Sequence, residues 1–206
     1  MDALLYWVGM AAVAVFALTG VLDSSRKQMD IIGALFVAVA TALGGGTVRD
    51  LLLGRKVFWI ADQTYLMVAL GAGLLSFVWA RNRDLPPKLF LIPDAIGLAL
   101  FAILGTQVAL QWQAPWLAAS LLGVITGVVG GVLRDILCND VPLLFLKGEL
   151  YASAAWLGAL ALIALQNLGL PSVYAAWIAM SIVLASRLLA LRYKITLPTF
   201  GQGKDE

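Results

Sequence analysis

The chain has no histidine, one cysteine, and charge on only 13% of its 206 residues. Each shortage removes a class of chemistry. Without histidine there is no imidazole metal ligand and no imidazole general base. A single cysteine, Cys138, excludes an intrachain disulfide. The charges nearly balance, with 14 Lys and Arg against 12 Asp and Glu, and they are scattered through short connections, so no basic patch addresses nucleic acid. Only aspartate-based catalysis is left, and neither "RD" dipeptide resembles the paired aspartates of intramembrane proteases. An enzyme, a metal site and a cofactor are therefore not expected.

What is present is apolar. Hydrophobic residues make up 62% of the chain and the mean hydropathy is +0.93, beyond the range of a soluble domain. A run of about 20 apolar residues spans the hydrocarbon of a bilayer. Seven such windows can be marked, at 3–22, 31–53, 65–80, 90–111, 116–138, 150–168 and 172–191. The reading is an all-α integral membrane protein with seven transmembrane helices in one membrane domain over 1–206. The first window follows Asp2 with no basic leader and no small-residue cleavage site, so a cleaved signal peptide is not expected.

Lysine and arginine set the expected orientation. Arg26 and Lys27, then Arg81, Arg83 and Lys88, then Lys147, and finally Arg192, Lys194 and Lys204 fall on one side. The connections "QWQAP" and "QNLGLPS" on the other side carry none, and only Arg55 and Lys56 dissent. This places the N-terminus outside and the C-terminus in the cytoplasm. Trp7, Trp59, Trp79, Trp112, Trp116 and Tyr193 lie near window ends, as an interfacial aromatic belt requires.

The chain also repeats itself. "GGGTVRDLLLG" in the second window is answered by "VGGVLRDILCN" in the fifth, with Gly45 and Gly130, Arg49 and Arg134, and Asp50 and Asp135 each 85 positions apart. The same offset superposes "FALTG" on "FAILG", Thr41 on Thr126 and Gly73 on Gly158. Repeat 1 covers 3–84 and repeat 2 covers 88–168; the window 172–192 stands outside both, followed by a cytoplasmic tail, 193–206. Three helices per copy is an odd number, so the second copy enters the membrane from the opposite side. In such inverted repeats, glycine-interrupted helices at matching positions point to a permeation or substrate site. Gly44, Gly45 and Gly46, and Gly130 and Gly131, are the expected breaks in the second and fifth helices. Freed backbone groups there would require a wet interior.

Arg49, Asp50, Arg134 and Asp135 follow the breaks, where unpaired charge costs about 2.5–3.5 kcal/mol. Adjacent residues on a helix do not face one another, so the expected pairs run between repeats, Arg49 with Asp135 and Arg134 with Asp50. They serve as an ion-pair clasp, as part of the permeation path, or as both. Thr41 and Thr126 are placed to satisfy carbonyls near the glycines or to line a pore. Asp94, after Pro93, reads as a helix cap, and Asp30 as an N-cap. Asp23 reads as a solvated helix-end residue; cation attraction at a pore mouth is the second reading for Asp23, Asp30 and Asp94. Lys147 and Glu149 read as an exposed pair, and Arg187 and Arg192 as side chains snorkelling to the cytoplasmic face. Cys138 reads as an incidental small apolar residue.

"TALGGGTVRDLLLG", "GVVGGVLRDILCNDVPLLF" and "PDAIGLALFAILG" together resemble the prokaryotic branch of the trimeric intracellular cation channel family, also described as a family of glycine transporters. The likeness runs over about residues 4 to 195. It implies a homotrimer in the inner (plasma) membrane of a prokaryote, with a three plus three plus one helix arrangement and a hydrophilic pore within each protomer. It also implies monovalent cations, potassium chiefly and sodium also, as the permeating species, with membrane lipids as surroundings. The Lys-Glu-Val motif of animal members is replaced here by Val-Leu-Arg-Asp. Two functions follow: a passive cation channel, and a secondary transporter of glycine or a similar zwitterion whose carboxylate and amine would meet an arginine and an aspartate.

Overall fold

The computed structural model describes residues 3–86, 88–146 and 150–196. Lys147, Glu149 and Lys204 lie outside the described residues, as does most of the expected tail.

In hydrocarbon every backbone N–H and C=O must be satisfied within the protein, which favours helix throughout. Among the described residues every regular element is helical: α1 Ala3–Arg26, α2 Ile31–Leu52, α3 Phe58–Ala61, α4 Thr64–Ala80, α5 Leu91–Gln111, α6 Trp116–Leu137, a 3₁₀ turn Leu143–Phe145, α7 Tyr151–Asn167 and α8 Ser172–Tyr193. Five of these, α1, α2, α5, α6 and α8, are long and apolar enough to cross a membrane, and α4 is a shorter apolar helix. The short α3 and the 3₁₀ turn were not foreseen; they occupy matching connections after α2 and α6.

Local chemistry ends the helices where the sequence changes. Asp30 caps α2, its carboxylate accepting from Gly33 N–H at 2.7 Å, as expected. Pro115 and Pro171 occupy the N-cap positions of α6 and α8, where the missing N–H costs nothing. Gly54 and Asn139, again 85 positions apart, take left-handed conformations just beyond α2 and α6. There Arg55 N–H reaches back to Asp50 C=O and Asp140 N–H to Asp135 C=O, closing matched Schellman-type ends.

The expected helix breaks are not present. α2 runs unbroken through Gly44, Gly45 and Gly46, and α6 through Gly130 and Gly131. The glycines instead allow close approach. A Cβ on Gly45 would collide with the carbonyl oxygen of Thr126, and a Cβ on Gly130 with that of Thr41. The two helices thus cross backbone to backbone at reciprocal points, keeping their own hydrogen bonds. This crossing is the centre of the molecule: α1 packs on α2, α4 and α5, and α6 packs on α5 and α7. Helix α8 lies against α5 and α7. Small residues let the helices approach, and Phe16, fully buried, fills the centre against Gly97 and the Phe101 ring at 5.1 Å.

Large apolar side chains such as Ile32, Phe36, Leu75 and Val78 point outward, as they would in lipid. Trp7, Trp79, Trp112, Trp116 and Tyr193 are exposed near helix ends. Trp59 is half-buried and donates to Thr47 Oγ1 at 2.9 Å.

Candidate functional site

The crossing of α2 and α6 carries the polar residues of the interior. Thr41 and Thr126 are fully buried, and their hydroxyls donate to the carbonyls one turn back, Val37 and Leu122, each at 2.6 Å. The threonines therefore serve the backbone, the role favoured for such buried hydroxyls. Each also packs on a glycine of the neighbouring helix, Thr41 on Gly20 and Thr126 on Gly105.

About two turns further along, the two Arg-Asp pairs sit at opposite ends of the crossing. Pairing between them does not occur. Arg49 Nε and Nη2 meet Asp50 Oδ1 at 2.8 and 2.7 Å. Arg134 Nε and Nη2 meet Asp135 Oδ1 at 2.9 and 2.8 Å. Side chains of neighbouring residues do not face one another across a helix, yet arginine is long enough to fold back onto the following carboxylate. The second oxygen of each aspartate has a backbone task. Asp50 Oδ2 accepts from Phe58 N–H and Asp135 Oδ2 from Leu143 N–H, both at 2.8 Å. Each Arg-Asp pair thus anchors the start of the short helical turn that follows its helix.

Beyond this shared frame the two ends diverge. Arg134, fully buried, also meets Asp94 Oδ1 at 2.5 Å and Asp23 Oδ2 at 3.5 Å, and stands over the Phe90 ring at 4.7 Å. Asp94 lies within the first turn of α5 and does not cap it; its carboxylate faces inward and also accepts from the Tyr151 hydroxyl at 3.1 Å. Asp23 is buried, not solvated, and holds Arg26 at 2.7 Å. Arg187 is buried as well, its guanidinium 4.8 Å over the Tyr151 ring, so it does not snorkel, whereas Arg192 is exposed. Beside Arg134 a cavity of about 260 Å³ is lined by Asp23, Asp135, Asp140 and Arg26 among others. Lys27 closes on Asp140 at 2.7 Å at its outer edge.

At the other end, Arg49 is 6% exposed and shares Asp50 with Arg55, whose Nε lies 3.6 Å from the same oxygen. A cavity of about 170 Å³ opens beside it, lined by Tyr6, Gly9, Phe58, Asp62, Tyr65 and Val108 among others. The two cavities share no lining residue, and the Gly45–Thr126 and Gly130–Thr41 contacts lie between the two Arg-Asp pairs. Asp62, at the rim, accepts from Thr64 N–H at 2.9 Å and from the Tyr6 hydroxyl at 3.1 Å; the Thr64 side chain first, then the Thr64 N–H and Tyr6, hold its carboxyl below the ordinary value of 3.8.

Sequence reasoning missed Tyr151, Tyr65, Tyr6 and Asp62. Tyrosines at helix starts carry no motif, and Asp62 could be read only as a loop residue. No group of three or more Cys, His, Asp or Glu residues able to hold a metal occurs among the described residues.

Known proteins resemble this chain over most of its length. The profile of a family described as "Glycine transporter" matches residues 6–81 and 91–167. The inner membrane protein YadS of Escherichia coli (strain K12) is 40% identical over 200 residues, which is 96% of either chain. Among solved structures, a trimeric intracellular cation channel orthologue from Rhodobacter sphaeroides superposes with a TM-score of 0.89 at 36% identity, covering 94% of this chain and 100% of that one. A second TRIC cation channel structure gives 0.84 at 34% identity, covering 96% and 97%.

Proposed function

The chain belongs to the family described as "Glycine transporter", whose solved relatives include trimeric intracellular cation channels, and from this membership we propose that it is a membrane channel for monovalent cations, potassium among them. The observation that carries the reading is the likeness over nearly the whole chain to structures described as cation channels. The site adds a physical reason. The cavity beside Arg134 has Asp23, Asp135 and Asp140 in its wall, and their pairing with Arg26, Arg134 and Lys27 offsets the positive charge that would otherwise repel a cation there.

The proposed architecture is an inverted three plus three repeat with one further helix and one ion path per protomer in a homotrimer. In favour of it are the contacts repeated at an offset of 85 positions: Phe58 and Leu143 on their aspartates, and Gly45 and Gly130 on their carbonyls. The proposed path follows the α2–α6 crossing past Thr41, Thr126 and the Arg-Asp pairs, and opening it requires the backbones to separate where Gly45 and Gly130 meet the Thr126 and Thr41 carbonyls. The proposed setting is the inner membrane of a prokaryote, with the N-terminus outside and the C-terminus in the cytoplasm.

The test is a planar bilayer containing the purified protein under a potassium chloride gradient. Discrete currents reversing near the potassium equilibrium potential are expected; currents reversing near the chloride potential would overturn the proposal. Glycine transport is the second reading, favoured by the family's description and by a cavity holding both an arginine and an aspartate. Saturable glycine counterflow without ionic current would put it first.

A further inference from the structure

The two Arg-Asp frames superpose at an offset of 85 positions, but the carboxylates around them do not. Asp94, which meets Arg134 Nη1, corresponds to Gly9; Asp23, which stands near Arg134 Nε, corresponds to Val108. Gly9 and Val108 both line the cavity of about 170 Å³ beside Arg49. Where Arg134 is met by three carboxylates, Arg49 meets Asp50, and that carboxylate also faces Arg55. A tyrosine is present in each half: the Tyr151 hydroxyl donates to Asp94, and a Cβ placed on Gly9 would stand 3.2 Å from the Tyr65 hydroxyl. The cavity occupies the place that an aspartate side chain fills in the other half.

We propose that this cavity binds a small carboxylate, with the Arg49 guanidinium as its counter-charge and the Tyr65 hydroxyl as its neutral donor. A buried arginine favours carboxylate because its planar fork matches two oxygens. The low polarity of the wall, with Phe58, Phe101 and Leu104, strengthens that attraction. The volume is several times the ~30 Å³ share of one liquid water, enough for an acetate-sized or glycine-sized molecule. Asp62 and Tyr6 at the rim supply a partner for an ammonium group, so glycine is expected to bind more tightly than acetate.

The inference rests on the glycine-transport reading, for which it names the residues that would hold the ligand; it stands apart from the cation-channel reading, and the test keeps binding, transport and conduction separate. The purified full chain is titrated by calorimetry with sodium acetate, glycine and sodium chloride at constant ionic strength. Saturable binding of acetate and glycine is expected, with chloride at least tenfold weaker. Gly9→Asp, which supplies the missing carboxylate from the chain, is expected to abolish both signals, and Val108→Phe to do so by filling the space without touching the charges. Binding of neither acetate nor glycine, equal binding of chloride, or binding unchanged in whichever of these variants folds would overturn the inference. Potassium currents measured on the same preparation report independently on the channel.

Discussion

At the scale of single residues, two arginines in the same local frame differ in how many partners they have. Arg134 is surrounded by Asp135, Asp94 and Asp23, whereas Asp50 holds Arg49 and faces Arg55 as well. Removing one partner of a buried pair costs about 3–5 kcal/mol because the remaining charge is left uncompensated. Asp50→Ala is therefore expected to destabilise more than Asp135→Ala, for Arg134 keeps Asp94 and Asp23. Denaturant unfolding in detergent checks the order, and equal losses would contradict it. Asp62 gives a smaller, pH-dependent effect. Its carboxyl is held below 3.8 by the Thr64 and Tyr6 hydrogen bonds, so its contribution is present above that value and lost as pH falls through the lower folded value. Comparing the acid limb of thermal unfolding in the wild type and in Asp62→Asn should reveal the difference; because the carboxylate is half-exposed, it will be slight.

Between elements, the decisive contact is the reciprocal one between α2 and α6. Gly45 and Gly130 are packed on carbonyl oxygens of the opposite helix, where a methyl group cannot be accommodated without separating the backbones. Gly45→Ala and Gly130→Ala are each expected to destabilise by about 1–3 kcal/mol, the usual cost of overpacking. Gly71→Ala serves as the control, since a Cβ there meets nothing within 4 Å, and alanine is the better helix former by about 1 kcal/mol. Thermal unfolding of the three variants distinguishes packing from helix propensity; a loss in Gly71→Ala equal to the other two would refute the packing account.

For the whole molecule, the outward apolar side chains of α2, α4 and α8 need lipid or a second protein surface. The solved relative from Rhodobacter sphaeroides is described as trimeric. Light scattering with correction for bound detergent is expected to give three protomers of 21.9 kDa, and a mass of one protomer would remove the trimer from the proposal.

The amino-acid sequence alone determined the solvent, the helical class and the repeated frame. Composition carries the first, the bilayer's demand for internal hydrogen bonds the second, and the offset of 85 positions the third, because Gly45, Arg49 and Asp50 recur with the same spacing. It also marked Asp30 as a cap, a contact made within one turn. Only the tertiary structure decided what the glycines and charges do. A glycine run is compatible with a broken helix and with a close crossing, and the choice depends on whether another backbone arrives; here the Thr126 and Thr41 carbonyls do. An arginine can reach several carboxylates from one backbone position. Its partners Asp94 and Asp23 come from helices 40 and 111 positions away in the chain, where local spacing carries no information.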